Sequence, residues 1–414
     1  MPITAIRGFN DILPGDSDIW RRIESEAYRL FSGYGFSEIR TPVAEKAELF
    51  LRSIGETTDI VEKEMYTFED RHGDSLALRP EGTAPVVRAY IEHKLYIAPV
   101  SKLYYTGPMF RYERPQKGRY RQFYQIGAEV MGDDSPRADA EALSMLMSFF
   151  AKIGVAGVEL HINSLGDANC RPAYKEKLKA YLAGVKGALC ENCLRRMDTN
   201  PLRALDCKAS GCIEATKDAP SIVDSLCEGC ASHFGTVRKY LALSGIDARI
   251  NPRMVRGLDY YTKTTFEITS TALGSQNAVA AGGRYDGLVK ELGGPETPCF
   301  GFAIGMERVA LILKETASHA GSPLTVFIAL GEKAEEASIP ILRSWREKGT
   351  KVMEEFSPGS LKGRMKRADR LGARYTVIMG DDELAKGEVA VKDMLTSAQE
   401  RLSFDAALMR ILSE

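Results

Sequence analysis

The stretch Gln122 to Met131, QFYQIGAEVM, constrains the fold more than any other. Its period-two alternation sends Tyr124, Ile126, Ala128 and Val130 to one face of a strand and Phe123, Gln125, Gly127 and Glu129 to the other. The first set is core material. The second contains a carboxylate and an amide, which a closed interior accepts only when each has a partner. The sheet that holds this strand is therefore expected to have one apolar face and one polar, partly open face. A strand from Leu103 to Glu113 precedes it, with Arg111 and Glu113 on a shared side by the same alternation. Between the two, Met109 to Gln125 carries Arg111, Arg114, Lys117, Arg119 and Arg121 among Phe110, Tyr112, Tyr120, Phe123 and Tyr124, against the single acid Glu113. The formal charge of the whole chain is only −1, so this is a local basic patch, which excludes wholesale polybasic nucleic-acid binding.

At 414 residues the chain exceeds one compact core and should form several domains. Ile19, Trp20, Ile23, Ala27, Leu30 and Phe31 recur at helical spacing after the polar Gly15-Asp-Ser-Asp. FSEIRTPV is extended because Pro42 follows. Met65 to Phe68 and Ser75 to Arg79 read as a hairpin. Strands are expected again at Thr264 to Ser270 and Cys299 to Ile304, the latter leading into a helix from Gly305. The polar, helical stretch between them and the first strands reads as an insertion. After a Ser, Gly and Pro linker at Ala317 to Pro323, TVFIALG, TKVMEEF, YTVIMG and EVAVKDM alternate with helical segments, as in a separate α/β domain. The resulting division is 1–164 and 250–320 for an α+β domain with an antiparallel sheet flanked by helices, 165–249 for the helical insertion, and 324–414 for an α/β domain with a mostly parallel or mixed sheet. No apolar run reaches the length of a membrane span, and MPITAIRGFNDILPGDS lacks the apolar core of a secretion signal. A cytoplasmic enzyme is the expectation.

Four further stretches carry chemistry. Arg111 suits a phosphate and Phe123, on the same side, a flat base, while Glu113 can accept from an exocyclic amine. In Arg79-Pro-Glu-Gly-Thr, Glu81 and Thr83 join Gln125 and Glu129 as acceptors for an ammonium and a ring N–H. Val255-Arg-Gly-Leu-Asp-Tyr-Tyr sets Arg256, Tyr260 and Tyr261 in a loop; taken alone, the segment has the alternative reading of a loop stapled to the core by its tyrosines. Cys299-Phe-Gly-Phe-Ala-Ile-Gly-Met-Glu-Arg places Gly301 and Gly305 where a ligand approaches the backbone closely, and Arg308 in the first turn of a helix, where a cation opposes the dipole unless an anion is present. A Gly-rich turn at Ala281-Gly-Gly-Arg-Tyr-Asp-Gly fits the same picture.

Six of the eight cysteines lie between Cys190 and Cys230. Cys190-x-x-Cys193 and Cys227-x-x-Cys230 are candidates for four thiolates on one Zn²⁺, with Cys207 and Cys212 as rivals, and reduced, partly buried thiols are the alternative.

The helix and strand ending at Pro42, FRYERPQKGRYRQFYQIGAE and GFAIGMER resemble motifs 1, 2 and 3 of the class II aminoacyl-tRNA synthetases. RGLDYYTKTTFE and LKGRMKRADRLGARYTVIMGDDELAKGEVAVKDM resemble the histidine-binding loop and the C-terminal domain of the histidyl-tRNA synthetase family. The resemblance implies histidine activation by ATP with Mg²⁺, transfer to histidine tRNA, and a homodimer. It assigns Glu81, Thr83 and Gln125 to the α-ammonium of histidine and Glu129 and Tyr261 to the imidazole, with Arg111, Arg256 and Tyr260 in the same pocket. It gives ATP to Arg111, Glu113, Arg119, Phe123 and Arg308, with Arg256, Arg111 and Arg308 catalytic. Arg114 and Gln116 match positions near the tRNA acceptor end, and the basic run Lys362, Arg364, Lys366, Arg367, Arg370 and Arg374 falls in the anticodon-reading domain. A non-catalytic paralogue that senses histidine for a biosynthetic transferase is the rival reading. Such proteins usually lack the C-terminal domain and parts of these motifs.

Overall fold

The computed structural model describes residues 2–55, 58–274, 277–316 and 324–413. The chain forms two compact units, Met1–Thr316 and Ala317–Glu414. The linker expected at 317–323 lies outside the described residues.

The first unit is built on an eight-stranded sheet in the order Ser37–Glu38, Ser101–Phe110, Gln122–Met131, Cys299–Gly305, Ala278–Arg284, Thr262–Ser270, Val158–Ser164 and Ala248–Ile250. The two end pairs are parallel and every internal pair is antiparallel. Alternation has the expected result on Gln122–Met131: Ile126, Ala128 and Val130 join Leu160, Ile162, Phe266 and Phe300 in the main core. Four helices cover that face. Asp16–Gly33 contributes Ile23, Ala27, Leu30 and Phe31, and Met306–Thr316 contributes Val309 and Leu313. Pro136–Ile153 is strongly delimited: the Ser135 hydroxyl accepts from Ala138 N, Pro136 stands in the first turn, and Gly154 takes a left-handed conformation at the end. The fourth helix, Glu228–Leu243, lies within the expected insertion at 165–249, yet it adds Phe234, Val237 and Leu241 to the main core. Only the shorter helices before it enclose a separate small core around Tyr174, Leu178, Leu205 and Ile222. An apolar stripe shows that a helix is buried, not against which core.

Two expectations are corrected. Ala281 to Gly287 is not a turn up to Tyr285; Ala278–Arg284 is a central strand. A Cβ on Gly282 would overlap the Gly301 carbonyl, so the glycines here permit close strand approach. The first strand of the hairpin ends at Phe110, so Arg111 and Glu113 follow it and owe their positions to the connecting loop.

Arg284, completely buried, ties the unit together. Its guanidinium lies 2.8 Å from Asp139 and 3.1 Å from Asp286, and it donates to the carbonyls of Asp133 and Ser135. The second oxygen of Asp139 meets His233 Nε2 at 2.9 Å. One buried network thus joins a central strand, the turn before one helix, and two helices.

The second unit has a five-stranded mixed sheet, Val352–Glu354, Thr325–Leu330, Tyr375–Gly380, Glu388–Asp393 and Gln399–Ser403, parallel across the first three and antiparallel thereafter. Phe327 and Ala329 face the helices Glu332–Glu347 and Phe404–Leu412, and Val326 and Ile328 face Leu361–Arg370.

Asp139→Ala should destabilise the first unit by about 3–5 kcal/mol, because it leaves Arg284 charged and under-compensated in the interior. Urea unfolding monitors this, and an unchanged midpoint would show that the network carries no such weight.

Candidate active site

The polar face of the large sheet forms the floor of a cleft of about 320 Å³. Its walls bring together Glu81, Thr83, Arg111, Glu113, Arg119, Phe123, Gln125, Arg256, Tyr260, Tyr261 and Arg308, from segments spread over more than two hundred residues of chain. Glu129 is the one expected pocket residue that does not line the cleft. It sits behind the wall, fully buried, with its two oxygens taken by the Thr83 hydroxyl at 2.8 Å and the Tyr285 phenol at 2.5 Å.

That carboxyl dictates its surroundings. A Cβ on Gly301 would overlap Glu129 Oε2, so this glycine makes room for the carboxyl and not, as expected, for a ligand, whereas Gly305 does line the cleft. The ring of Tyr105 lies where Cβ atoms on Gly82 and Gly127 would be. Burial pushes the Glu129 carboxyl up to about 8, against the pull of the Tyr285 and Thr83 hydrogen bonds. Burial likewise keeps the phenols of Tyr105, Tyr260 and Tyr285 protonated, well above their ordinary range.

Next to this polar end, Glu81 accepts from the backbone N–H groups of Thr83 and Ala84, at 2.6 and 2.8 Å, and so caps the helix Thr83–Glu92 while it faces the cleft. Thr83 lines the cleft, and its hydroxyl, which donates to Glu129, can also accept. The buried Oε1 of Gln125 has no hydrogen-bond partner among the described residues. These three acceptors surround a point suited to a cation with several N–H donors.

The far end is cationic. Arg111 Nε donates to the Pro80 carbonyl at 2.8 Å, and its guanidinium lies 5.3 Å from the Phe123 ring centre. Arg308, in the first turn of Met306–Thr316, donates to the carbonyls of Gly118 and Ala278. Burial holds Arg111, Arg119 and Arg308 below their usual values, and for Arg308 the charges of Arg119 and Arg111 act in the same direction. Desolvated cations that repel one another form a site stabilised by a multivalent anion. Glu113 ion-pairs with Arg119, and Arg256 donates to Glu267 at 3.0 Å.

The hairpin's remaining cations have other employment. Arg121 stacks on Tyr112 at 3.8 Å, and its backbone N–H donates to the Gly8 carbonyl. Lys117 pairs with Glu315 at the surface. Arg114 and Gln116 are exposed and outside the cleft, on a turn closed by paired Gln116 and Arg119 backbone bonds. Tyr105, Tyr285, Glu267 and Glu307 are site residues that the sequence reading missed. Gly127 lies directly opposite Tyr105 and signals a large ring there. Glu267 was legible from alternation, since Phe266 and Ile268 on either side are core.

The four-thiolate set expected from Cys190, Cys193, Cys227 and Cys230 does not form. Cys190 and Cys193 meet Cys207 and Cys212, while Cys227 and Cys230 meet Cys170 and Asp167. The two Cys-x-x-Cys pairs begin different helices, one in the small core and one on the main core. In the second unit the six clustered cations divide. Arg364 donates to the Ala329 carbonyl, Arg367 pairs with Glu355, and Arg374 pairs with Asp393. Lys362, Lys366 and Arg370, spaced by four, remain exposed as one stripe of the helix Leu361–Arg370.

Residues 8–309 match the family model "Histidyl-tRNA synthetase", and residues 325–414 match "Anticodon binding domain". The chain is 55% identical to the histidine–tRNA ligase of Syntrophotalea carbinolica across 100% of this chain and 99% of that protein. It is 55% identical to the corresponding ligase of Geobacter sulfurreducens across 96% of each. Its fold matches the apo crystal structure of the S. aureus histidyl-tRNA synthetase with a TM-score of 0.80 and 38% identity, over 99% of this chain and 100% of that one.

The raised value of Glu129 has a definite sign. Because the folded state holds this proton more tightly than the unfolded chain, the associated stability is present below pH 4.5 and is lost as pH rises toward 8. Glu129→Gln should therefore match the parent near pH 5 and exceed it by roughly 3–5 kcal/mol at pH 8.5. Parallel thermal-unfolding curves for the two proteins across this range would contradict the assignment.

Proposed function

The chain belongs to the histidyl-tRNA synthetase family, and from that premise we propose how its cleft divides the substrates of the reaction. It is an ATP-dependent aminoacyl-tRNA ligase, which activates L-histidine with ATP and passes it to histidine tRNA. The observation that carries the assignment of residues is the meeting of Arg111, Arg256 and Arg308 in one cleft with an acceptor cage at its closed end. A histidine-sensing, non-catalytic paralogue has no use for three arginines at a phosphate site, and residues 325–414 of this chain match the anticodon-binding domain that such paralogues usually lack.

The α-ammonium of histidine is held by Glu81, Thr83 and Gln125. The imidazole enters the tyrosine-lined end, near Tyr260 and Tyr261, with Glu129 fixing that end through Thr83 and Tyr285. Phe123 stacks on adenine, Glu113 accepts from its amine, Arg119 and Arg308 meet the phosphate tail, and Arg111 the α-phosphate. ATP brings Mg²⁺, and Glu267 and Glu307, the carboxylates on the phosphate side, are hard oxygen ligands that fit it.

One histidine carboxylate oxygen attacks the α-phosphorus, and the bond to the bridging oxygen breaks, so pyrophosphate leaves with the electron pair. Arg111 and Arg256 compensate the charge that accumulates on the α-phosphoryl oxygens. A terminal tRNA hydroxyl then attacks the histidyl carbonyl, and AMP departs. Arg114 and Gln116 approach the acceptor end, and the stripe Lys362, Lys366 and Arg370 contacts tRNA phosphates in the anticodon region. A cytoplasmic homodimer completes the reading. Tyr28, Val43, Tyr96 and Ile97 supply exposed apolar surface for a dimer contact, and no helix among the described residues is long and apolar enough to cross a membrane.

Arg256→Ala should slow histidine-dependent exchange of pyrophosphate into ATP at least ~10²-fold, the scale of losing one preorganised donor; near-normal exchange would remove Arg256 from the chemistry. Replacing Lys362, Lys366 and Arg370 together by Ala should leave that exchange intact, raise the KM for tRNA, and reduce the salt slope of tRNA binding by about three, one per lost phosphate contact. An unaltered slope in a binding titration would refute the stripe.

A further inference from the structure

We propose that the chain holds two structural zinc ions, one on Cys190, Cys193, Cys207 and Cys212, the other on Asp167, Cys170, Cys227 and Cys230. In each set all four ligand atoms lie within 4.8 Å of one another. Tetrahedral zinc with Zn–S bonds of about 2.3 Å separates two sulfurs by about 3.8 Å, and a sulfur from a carboxylate oxygen by about 3.6 Å. Cys190 Sγ and Cys207 Sγ are 3.8 Å apart. Asp167 Oδ1 is 3.5 Å from Cys170 Sγ and 3.8 Å from Cys227 Sγ. The three separations match edges of such tetrahedra, the sulfur–sulfur one is almost twice the roughly 2.05 Å of a disulfide, and all eight cysteines are free.

The two sites are also built alike. Cys190 and Cys227 each stand at the N-cap of a helix with nearly the same backbone angles, φ −71°, ψ 160° and φ −67°, ψ 163°. Cys193 and Cys230 follow in the first turn, both buried. Backbone N–H groups point at further ligands, from Cys190 to Cys212 Sγ at 3.1 Å and from Asp167 to Cys170 Sγ at 3.3 Å, as thiolates require. Three or four sulfurs at a tetrahedral site favour zinc among common divalent ions. The surrounding segment explains the need. Glu191–Arg196, Pro201–Asp206 and Ser210–Ala215 are six residues each, far below the length at which a helix stands alone, and they share a small core.

Both sites buttress the loop that carries Arg256, Tyr260 and Tyr261. Beside the first, Arg203 donates to the Gly257 carbonyl at 2.7 Å, and Arg253 donates to Thr216 at 2.5 Å on its carbonyl and 2.7 Å on its hydroxyl. Beside the second, Lys263 exchanges backbone bonds with Leu165 and Gly166, and Arg171 donates to the Tyr261 carbonyl at 2.5 Å. Metal therefore positions the histidine loop, a consequence that rests on the substrate assignment above, whereas the metal sites do not.

Elemental analysis of full-length protein purified without chelators, with any affinity tag removed, should find two zinc ions per chain, and one in each of Cys193→Ser and Cys230→Ser. Parent protein with well under one zinc, with iron in its place, or with Cys190–Cys207 disulfide by mass spectrometry, overturns the proposal, even if a variant fails to fold. Cobalt reconstitution of stripped protein should give the intense visible bands of tetrahedral thiolate coordination, and weak octahedral bands overturn it as well. Stripped protein should show a histidine KM at least tenfold higher in pyrophosphate exchange, restored by zinc. An unchanged KM in zinc-free protein overturns the link to the loop.

Discussion

A carboxyl with no exposure, on the polar side of a sheet, is the constraint on which the catalytic unit depends. Glu129 cannot be solvated, so the fold must supply hydroxyl donors, and it does so from two distant segments, Thr83 at the start of a helix and Tyr285 just after a central strand. It cannot be crowded either, which obliges residue 301 on the neighbouring strand to be glycine. The same pressure runs outward: the Tyr105 ring packs over two more glycines, and the hydroxyl of Thr83, on the cleft wall, is committed to Glu129. A buried polar group of this kind is costly unless satisfied, and its partners are therefore arranged with little freedom.

The opposite end of the cleft gathers buried cations. Arg111 and Arg308 are anchored to backbone carbonyls and Arg119 to Glu113, while burial lowers all three and the charges of Arg119 and Arg111 add to this at Arg308. A multivalent anion is the kind of group that relieves such repulsion. The two ends thus use opposite electrostatics on one surface, a hydrogen-bonded acid behind one end and buried cations at the other, and the strand Gln122–Met131 connects them through Phe123 and Gln125.

Much of this was legible because strand alternation is a short-range rule. Phe123, Gln125 and Glu129 share a face whatever the rest of the chain does, and the terminal α/β pattern declared itself in the same way. Where long-range contacts decide, local reading faltered. Ala281 to Gly287 reads as a glycine-rich turn, but Ala278–Arg284 is a central strand, whose glycines let both neighbours approach too closely for side chains. Six clustered cations read as one surface, but Arg364, Arg367 and Arg374 are consumed by carbonyls and acids of the same unit. The two Cys-x-x-Cys pairs read as one site, since nothing in their spacing reveals Asp167 and Cys170 as partners.

The sequence by itself therefore determined which residue types the chemistry would use, and their sides of individual strands, because side-chain direction along a strand follows from backbone geometry alone. Only the tertiary structure decided which of those residues meet. It placed Glu129 behind the cleft instead of in it, divided the arginines between the cleft and internal pairing, and sorted the cysteines into two sets. Each of these outcomes rests on desolvation and on contacts between segments tens to hundreds of residues apart, and no local pattern encodes them.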